Sequence, residues 1–327
     1  MEDFADKVAQ LCLEKYNKLG KNGKPSQKEW TVLSGIVLSK KDGTLSLVAL
    51  ATGTKCLGKI DLMNTKLYEE GCRLSDSHAE ILVRQIKPNV NEKKKQVIKD
   101  IYRTGAKCVK SEKYQDPYLP GINYHVVGPL RTKPGRGNPT LSLSCSDKIA
   151  KWNLLGIQGS FLSILIPPIK LETIIVGGNS PFSLEAMERG LYKRFNSEIY
   201  KLKIIQSKLF FKQQKNSERK NPCPSSIIWC AVRNRDTEIA VEGRKQGATK
   251  KKKGSNLLVS RRALFETFLR TCDKYQHSDC NIRHPKKITY LDCKKWSKNY
   301  QSLWSTLKSE FFHDWPSKPI QLQTFVL

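Results

Sequence analysis

A histidine and a glutamate two residues apart, His78 and Glu80, are the residues of this chain best suited to catalysis. An imidazole is a common zinc ligand, and a nearby carboxylate can take a proton from a metal-bound water and deliver it to a leaving group. Zinc lowers the pKa of its bound water to about 7, so such a pair suits hydrolysis near neutral pH. The same residues could instead form an ordinary solvated helix start, because an acidic residue in the first turn interacts favourably with the helix dipole.

A zinc site needs further ligands, and Cys145 has the most suitable surroundings among the ten cysteines. It directly precedes a helix that we predict from Ser146, and a helix N-terminus stabilises a nearby thiolate, the form that binds metal. In a long chain without a signal sequence, cysteines are typically reduced thiols rather than disulfides. We therefore expect most of the other cysteines to be small buried or surface thiols.

The strands and helices that must position these residues alternate along the chain, which predicts an α/β layered core. We predict helices over 3–19, 79–86, 183–194, 264–269 and 296–312, and strands over 30–38, 45–50, 173–177 and 227–232. Residues 146–165 are predicted to form a helix followed by an apolar continuation. His78 then lies at the N-terminus of the helix that carries Glu80. Residues 53–56 are predicted to form a loop, and 87–140 a long, weakly structured insertion.

The charge of the chain indicates what it binds. A formal net charge of +28 over 327 residues predicts a polyanionic partner, either nucleic acid or an anionic membrane surface. No apolar run approaches the length of a bilayer span, and the N-terminal residues 1–4 are acidic rather than signal-like. We therefore favour nucleic acid, expect no membrane association, and place the protein inside the cell, in the nucleus, the cytoplasm or both.

Three segments together resemble the RNA adenosine deaminase family. They are Asp76-Ser77-His78-Ala79-Glu80, Ser144-Cys145-Ser146-Asp147-Lys148 and Asn153-Leu154-Leu155-Gly156-Ile157-Gln158-Gly159. Residues 102–109 and 130–137 are similar to the branch of that family that acts on tRNA. The resemblance extends from about Lys28 to the C-terminus. It implies an N-terminal helix and linker over 1–27 and a deaminase domain over 28–327, with a cytidine-deaminase-like core (a central mixed sheet flanked by helices) and a C-terminal helical extension.

The resemblance implies that His78 and Cys145 are zinc ligands and that Glu80 is the proton shuttle. It also implies a buried inositol hexakisphosphate, held by Arg84, Lys148, Lys151, Trp152, Gln158, Arg261, Lys294, Tyr300, Trp315 and Lys318. Burying so many cations is costly unless an anion of comparable charge accompanies them, and the alternative is that most are surface cations. The chain departs from the family pattern at Gln85, Trp304 and Gln323, which replace an arginine, a lysine and an acidic residue.

The family's remaining zinc ligand lies in a Pro-Cys-Gly motif at the end of an apolar strand, and this sequence has neither between Gln85 and Tyr102. Cys108 is a weak substitute because we expect it in a polar loop. Cys223, between two prolines, is weaker still. We therefore expect a chain shortened near 86–98, which lacks a core strand and binds zinc weakly.

Basic residues in glycine- and proline-spaced segments predict RNA phosphate contacts at Lys55, Lys107, Arg131, Lys133 and Arg136. The Lys250–Lys253 run suits RNA contact, a nuclear address or a solvated loop. The resemblance implies zinc-dependent hydrolytic deamination of adenosine to inosine in tRNA, next to the anticodon of alanine tRNA, where the loop presents a base outside the stack. The alternative is a catalytically impaired form that binds tRNA and inositol phosphate. No protein partner is indicated.

Overall fold

The computed structural model describes residues 2–63, 70–85, 107–109, 130–133, 140–195, 201–232, 236–248, 256–275 and 288–327. Within these ranges, helices and strands alternate as the sequence predicts, so the α/β class is confirmed. None of the helices in this part of the chain is long and apolar enough to cross a membrane.

A five-stranded antiparallel sheet forms the centre of the fold, in the order β13-β12-β11-β3-β2. Its strands are β2 (Leu33–Ser39), β3 (Leu45–Thr52), β11 (Ser225–Cys230), β12 (Thr237–Val241) and β13 (Arg244–Lys245). A separate parallel pair is formed by β8 (Thr173–Val176) and β9 (Lys203–Gln206). Both parallel and antiparallel pairings are therefore present.

Short strand pairs complete the β structure. They are β1 (Glu29–Trp30) with β10 (Asn221–Pro222), β4 (Thr54–Cys56) with β5 (Asp76–His78), and β6 (Lys107–Cys108) with β7 (Arg131–Thr132). The prediction of a loop over 53–56 is therefore wrong, because the backbone of β4 hydrogen bonds to that of β5. Cys108 lies in β6 rather than in a polar loop, and its side chain is outside the described atoms.

The helices are α1 (Glu2–Lys18), α2 (Lys59–Met63), α3 (Ala79–Gln85), α4 (Cys145–Leu155), α5 (Gly159–Leu165), α6 (Leu184–Glu188), α7 (Arg261–Tyr275), α8 (Tyr290–Lys295) and α9 (Lys298–Glu310). A π-helical turn, Arg189–Lys193, continues α6, and a 3-10 turn covers Ile320–Leu322. The predicted C-terminal helical region is thus present as α7 to α9.

Two helices cover opposite faces of the central sheet. Leu50 and Trp229 pack with Tyr16 of α1, whereas Ala49 packs with Leu82 of α3. Neighbouring residues of a strand point to opposite faces, so β3 serves both packing layers. The sheet consequently holds α3, which carries Glu80, at a fixed position.

Residues 146–165, predicted as a helix followed by an apolar continuation, lie in the two helices α4 and α5 and the short connection between them. Gly156 ends α4 with a φ of 82°, and its N–H donates to the carbonyl oxygen of Trp152 at 2.8 Å. A Cβ at Gly156 would lie 2.2 Å from Oε1 of Gln158, so both the backbone conformation and the close approach require glycine.

Candidate active site

His78 and Glu80 are positioned by the junction between β5 and α3. Lys55 and Ser77 are paired across β4 and β5, which places His78 at the end of β5. Gly53 allows the close approach of the two chains, because a Cβ on it would lie 1.9 Å from the Ser77 carbonyl oxygen. The histidine thus leaves a strand edge and the glutamate begins a helix.

The His78 ring is oriented by Asp76. Nδ1 of His78 lies 2.7 Å from Oδ1 of Asp76, which leaves Nε2 as the ring nitrogen available for another partner. A histidine that ligates metal usually holds its second nitrogen on a carboxylate in this way. Burial would raise the pKa of Asp76, but its hydrogen bond with His78 and the charges of Lys148 and Lys133 together hold it well below its usual range.

Glu80 forms a buried ion pair with Lys133. Nζ of Lys133 donates to Oε1 of Glu80 at 2.8 Å, and the two side chains are 7% and 17% exposed. Burial would raise the pKa of Glu80, but the charge of Lys133 more than offsets it and the pKa is lowered. The same contact and the Asp76 charge raise the pKa of Lys133 despite its burial. Glu80 is therefore ionised at neutral pH.

Cys145 opens α4 beside Glu80. Ser144 caps this helix by accepting a hydrogen bond from the Asp147 backbone N–H at 3.1 Å. The residue is exposed, yet the protein around its thiol and the hydrogen-bonded Glu80 carboxylate raise the thiol pKa to about 11. We expected the helix N-terminus to favour the thiolate. The thiol pKa is raised instead, because the loss of hydrating water and the negative charge of Glu80 outweigh the stabilisation of the thiolate by the helix N-terminus.

Cys145 and His78 both lie close to Glu80, but among the described residues these three side chains do not amount to a zinc centre. Across the part of the chain that the structure describes, no group of three or more histidine, cysteine, aspartate or glutamate side chains could hold a metal ion. A catalytic zinc site takes three protein ligands and one water. Within the described residues His78 and Cys145 supply two, so these residues by themselves do not fit this group. Cys223 is buried elsewhere, with Sγ 3.9 Å from the Gly23 carbonyl oxygen.

A cluster of cations lies beyond the other end of α3, in which Arg84, Lys151 and Lys294 are half-buried and Lys318 is exposed. Arg84 contacts Tyr300, and its guanidinium carbon lies 4.9 Å from the centroid of the Trp152 ring. Loss of hydration and neighbouring cations lower the pKa of Lys294 to about 8 and of Lys318 to about 7. Cations this close to one another are unfavourable without a nearby anion.

Lys151 belongs to this cluster but faces aromatic rings. Its Nζ lies 3.2 Å from the centroid of the Trp304 ring and 4.7 Å from that of Trp315. Burial and the charges of Arg84 and Lys294 lower its pKa well below the usual range. Trp304, which stands where the resemblance predicts a lysine, thus contributes a cation–π contact in place of a charge.

Arg261 and Gln158, which the resemblance assigns to the inositol hexakisphosphate site, both donate side-chain hydrogen bonds to backbone carbonyl oxygens. Arg261 donates to the Leu322 carbonyl oxygen at 2.8 Å, and burial lowers its pKa. Gln158 donates from Nε2 to the Leu155 carbonyl oxygen at 2.8 Å and accepts at Oε1 from the Ile169 N–H at 3.0 Å. Its amide therefore ties the α4–α5 connection to the following segment.

Lys148 links the two regions. Its Nζ donates to Oδ2 of Asp76 and, at 2.6 Å, to Oγ of Ser142, and its charge acts on Lys318. Asp76 thereby contacts both His78 and a member of the cation cluster. Sequence reasoning missed Asp76 and Ser142 as site residues. Asp76 could have been found from strand periodicity, because residues two apart in a strand share a face.

The predicted RNA-contact residues do not share one environment. Lys133 is buried against Glu80, whereas Lys55 in β4 and Arg131 in β7 are half-buried. The Arg131 N–H donates to Oδ2 of Asp147 at 3.0 Å, so its backbone braces α4. Lys107 lies in β6 with its side chain outside the described atoms. Arg136 and the Lys250–Lys253 run are outside the described residues.

An α/β core with His78, Glu80 and Cys145 at the starts of two helices defines a nucleobase deaminase class of site. The family model of the adenosine-deaminase (editase) domain matches residues 84–319, which is more than half of the chain. The chain belongs to this family. His78 and Glu80 lie just before the matched range, and Cys145 lies within it.

Similar proteins include the "tRNA-specific adenosine deaminase 1" of Drosophila melanogaster, 32% identical over 391 residues, covering 97% of this chain and 96% of the relative. The Homo sapiens protein of the same name is 38% identical over 252 residues, covering 69% of this chain and 49% of the relative. The Drosophila "Double-stranded RNA-specific editase Adar" is 27% identical over 403 residues, covering 99% of this chain and 55% of that protein. The chain thus spans nearly all of one relative and about half of the others.

Proposed function

We propose that the fold and site serve hydrolytic deamination of adenosine to inosine in tRNA, and that this chain performs the reaction weakly or not at all. Two of the similar relatives, at 32% and 38% identity, carry names that specify tRNA. The observation that limits activity is the donor set, because in the part of the chain that the structure describes His78 and Cys145 are two ligands where a catalytic zinc site takes three.

The protein groups of the site have distinct roles in this proposal. Glu80, held ionised by Lys133 at 2.8 Å, is the base that accepts a proton from the attacking water and returns it to the departing amine. Lys133 positions Glu80. Asp76 orients His78 so that Nε2 faces the reaction centre. Zinc held by His78 and Cys145 alone would be bound weakly, with its water poorly positioned.

The substrate in this proposal is the anticodon stem-loop of a tRNA, with alanine tRNA as the first choice. A net charge of +28 attracts the phosphate backbone and retains tRNA even where chemistry is slow. A loop adenosine is already unpaired, so presenting it to Glu80 costs less than extracting it from a duplex. We assign this function to residues 28–327, and treat residues 1–27, which contain α1, as an N-terminal helix and linker. We expect the protein in the nucleus, the cytoplasm or both.

We further propose that the cation cluster around Arg84 binds inositol hexakisphosphate. The charges of Arg84, Lys294 and Lys318 lower the pKa of Lys151, Arg84 also lowers that of Lys294, and Lys294 lowers that of Lys318. Asp76 raises the pKa of Lys318 but already contacts Lys148 and His78. A polyanion would restore their charged forms and repay the cost of burial. The residues present fit such a ligand.

The reaction is tested on alanine tRNA. Purified full-length chain and its Glu80→Gln variant are incubated with the tRNA, and inosine is read by sequencing as an adenosine-to-guanosine change. We expect both proteins to give the same near-background conversion while both bind the tRNA in a gel-shift assay. Conversion by the unchanged chain at the rate of the human relative, abolished by Glu80→Gln, would show an active enzyme and contradict the proposal.

The polyanion is tested separately by thermal unfolding with and without inositol hexakisphosphate. We expect the ligand to raise the Tm of the unchanged protein, and Lys318→Met to lose most of that shift. Lys298→Met, an exposed lysine on α9, is the matched control and should keep it. Equal shifts in all three proteins would indicate general polyanion binding to a basic surface instead.

A further inference from the structure

Two segments that are far apart in the chain, 15–30 and 208–220, form a basic surface, which we call the linker surface. Together they carry ten lysine and arginine residues and two glutamates, a net charge of +8 on 29 residues. The whole chain carries +28 on 327 residues, so these segments are about three times as basic as the average. None of the RNA contacts predicted from the sequence falls in either segment.

Backbone contacts join the two segments. The strands β1 and β10 pair in parallel, and the Asn221 N–H donates to the Lys28 carbonyl oxygen at 3.1 Å. The Thr31 N–H donates to the Gln213 carbonyl oxygen at 2.9 Å. The lysines of both segments therefore belong to one continuous surface.

Two half-buried cations stabilise this arrangement through backbone carbonyl groups. Nη1 of Arg219 donates to the carbonyl oxygens of Ser26 and Glu29, each at 2.7 Å. Nζ of Lys24 donates to the Leu19 carbonyl oxygen at 2.7 Å. Because a carbonyl group carries no net charge, these contacts hold the linker surface together without neutralising it.

The exposed lysines of the linker surface have no acidic partner. They are Lys18, Lys21, Lys28, Lys212, Lys215 and Lys220. In the part of the chain that the structure describes, no carboxylate forms an ion pair with any of them. Of the two glutamates, Glu29 accepts a hydrogen bond from the Ser26 N–H at 2.9 Å, and Glu218 is exposed. Neighbouring lysines of this kind attract an anion that spans several of them.

The linker surface borders the strands that carry the candidate active site. Ser226, in β11, donates from Oγ to the Ser77 carbonyl oxygen of β5 at 3.2 Å. Burial raises the pKa of the Cys223 thiol, which directly follows β10, and the charge of Lys55 opposes that rise. Lys55 pairs with Ser77 across β4 and β5, so it lies close to both the site and the end of β10.

The composition of the linker surface fits a phosphate backbone rather than a membrane. A helix that binds at a membrane surface inserts its apolar face. The apolar face of α1 packs on the central sheet instead, through Tyr16 against Leu50 and Trp229. Exposed lysine side chains contact phosphates without reading bases, which suits an RNA whose sequence is recognised elsewhere.

We propose that the linker surface binds the phosphate backbone of the tRNA outside its anticodon loop. The proposal rests on the proposed substrate and adds the part of the RNA that the candidate active site does not hold. With a loop adenosine at Glu80, the rest of the tRNA must leave the site on one side, and Lys55 and the linker surface provide a basic side. Such contacts fix the orientation of the RNA and leave the choice of base to the active site.

The test compares full-length alanine tRNA with a minimal hairpin, which is its anticodon loop closed by the shortest stable stem. The variant removes three charges from the linker surface, by Lys28→Gln, Lys215→Gln and Lys220→Gln. The matched control removes the same charge from exposed residues elsewhere, by Lys40→Gln, Lys41→Gln and Lys298→Gln. The affinity of each full-length protein for both RNAs is measured by filter binding over a range of salt concentrations.

We expect the unchanged protein and the control to bind the full tRNA at least tenfold more tightly than the hairpin. The linker-surface variant should bind the hairpin as the unchanged protein does, which also shows that it is folded, and should lose most of the preference for full tRNA. Its slope of log affinity for full tRNA against log salt should fall by about 2–3, because three phosphate contacts are lost.

Equal losses in the variant and the control would overturn the proposal, since they indicate general attraction to a basic protein. So would an unchanged affinity for full tRNA, or an equal loss of affinity for the hairpin, which would assign these lysines to the loop. Binding to phosphatidylserine vesicles that the variant loses while it keeps its tRNA affinity would assign the surface to a membrane. Failure of the unchanged protein to bind either RNA would contradict the proposed substrate, and the linker surface with it.

Discussion

Lys133 and Glu80, fifty-three residues apart in the chain, form a buried ion pair with 2.8 Å between Nζ and Oε1. The pair joins the segment after β7 to the first turn of α3. It holds the carboxylate in its ionised form and fixes its direction toward Cys145. A lysine that we expected to contact RNA phosphates therefore lies in the candidate active site.

Replacing Lys133 by methionine should destabilise the protein. Removing one partner of a buried pair leaves the other charge uncompensated, which typically costs about 3–5 kcal/mol. We expect the free energy of unfolding, measured in urea at neutral pH, to fall by about 3 kcal/mol. Lys295→Met breaks the Lys295–Asp292 pair, whose side chains are 66% and 52% exposed, and should cost less than about 1 kcal/mol. Equal losses would contradict the role of Lys133, as would reduced tRNA affinity with unchanged stability.

Replacing Trp304 by lysine, the residue that the resemblance predicts at this position, should make the ligand-free protein less stable. The same change should increase the stabilisation of the protein by inositol hexakisphosphate. Trp304→Lys removes the ring 3.2 Å from Lys151 and its packing on Phe312 and Trp315, and adds a cation to the cluster. We expect a lower Tm without ligand and a larger rise in Tm with inositol hexakisphosphate. Leu303→Lys, at a neighbouring residue 46% exposed, adds the same charge on the surface and should change neither. A smaller ligand shift in Trp304→Lys than in the unchanged protein would contradict this prediction.

The anion-free protein should become more stable as pH rises above 7. Burial and neighbouring cations lower the pKa of Lys318 to about 7 and of Lys294 to about 8, whereas an unfolded lysine titrates near about 10.4. Between these values the unfolded chain binds more protons than the folded one, so stability increases with pH across this window. Below about 7 both states are protonated at Lys318 and its contribution levels off.

The measurement is the urea midpoint at pH values of roughly 6.5, 8 and 9.5, with and without inositol hexakisphosphate. Bound polyanion should favour the charged lysines and reduce the rise. Lys318→Met should also flatten it, because it removes the group with the lower pKa. A midpoint that falls with pH in the anion-free protein would contradict the depressed pKa values.

Much of the fold could be predicted from the sequence. Apolar periodicity predicted α1, β2, β3 and β8 close to their observed bounds, and the start of α4. It missed β9 and β12, and it did not separate α5 from the apolar residues after α4, because a single glycine within an apolar helical pattern does not reveal a positive φ. It also missed β4, because three residues are too few for a period and only the pairing with β5 defines the strand.

The site was only partly predictable. The sequence predicted that His78 and Glu80 sit at a helix start, but not the strand β5 that precedes it, and Cys145 was correctly placed at a helix start. The low pKa of Glu80 and the high pKa of the Cys145 thiol could not be predicted, because both depend on Lys133 and on burial. Those are long-range contacts, and sequence spacing gives no information about them.

The zinc content of the purified full-length protein tests the incomplete ligand set most directly. The protein is dialysed against metal-free buffer and zinc is measured by mass spectrometry relative to protein concentration. Because His78 and Cys145 provide two ligands, we predict far less than one zinc per chain, unchanged in His78→Ala and Cys145→Ser. One tightly held zinc per chain, lost in both variants, would contradict the incomplete site and restore the prediction of an active deaminase.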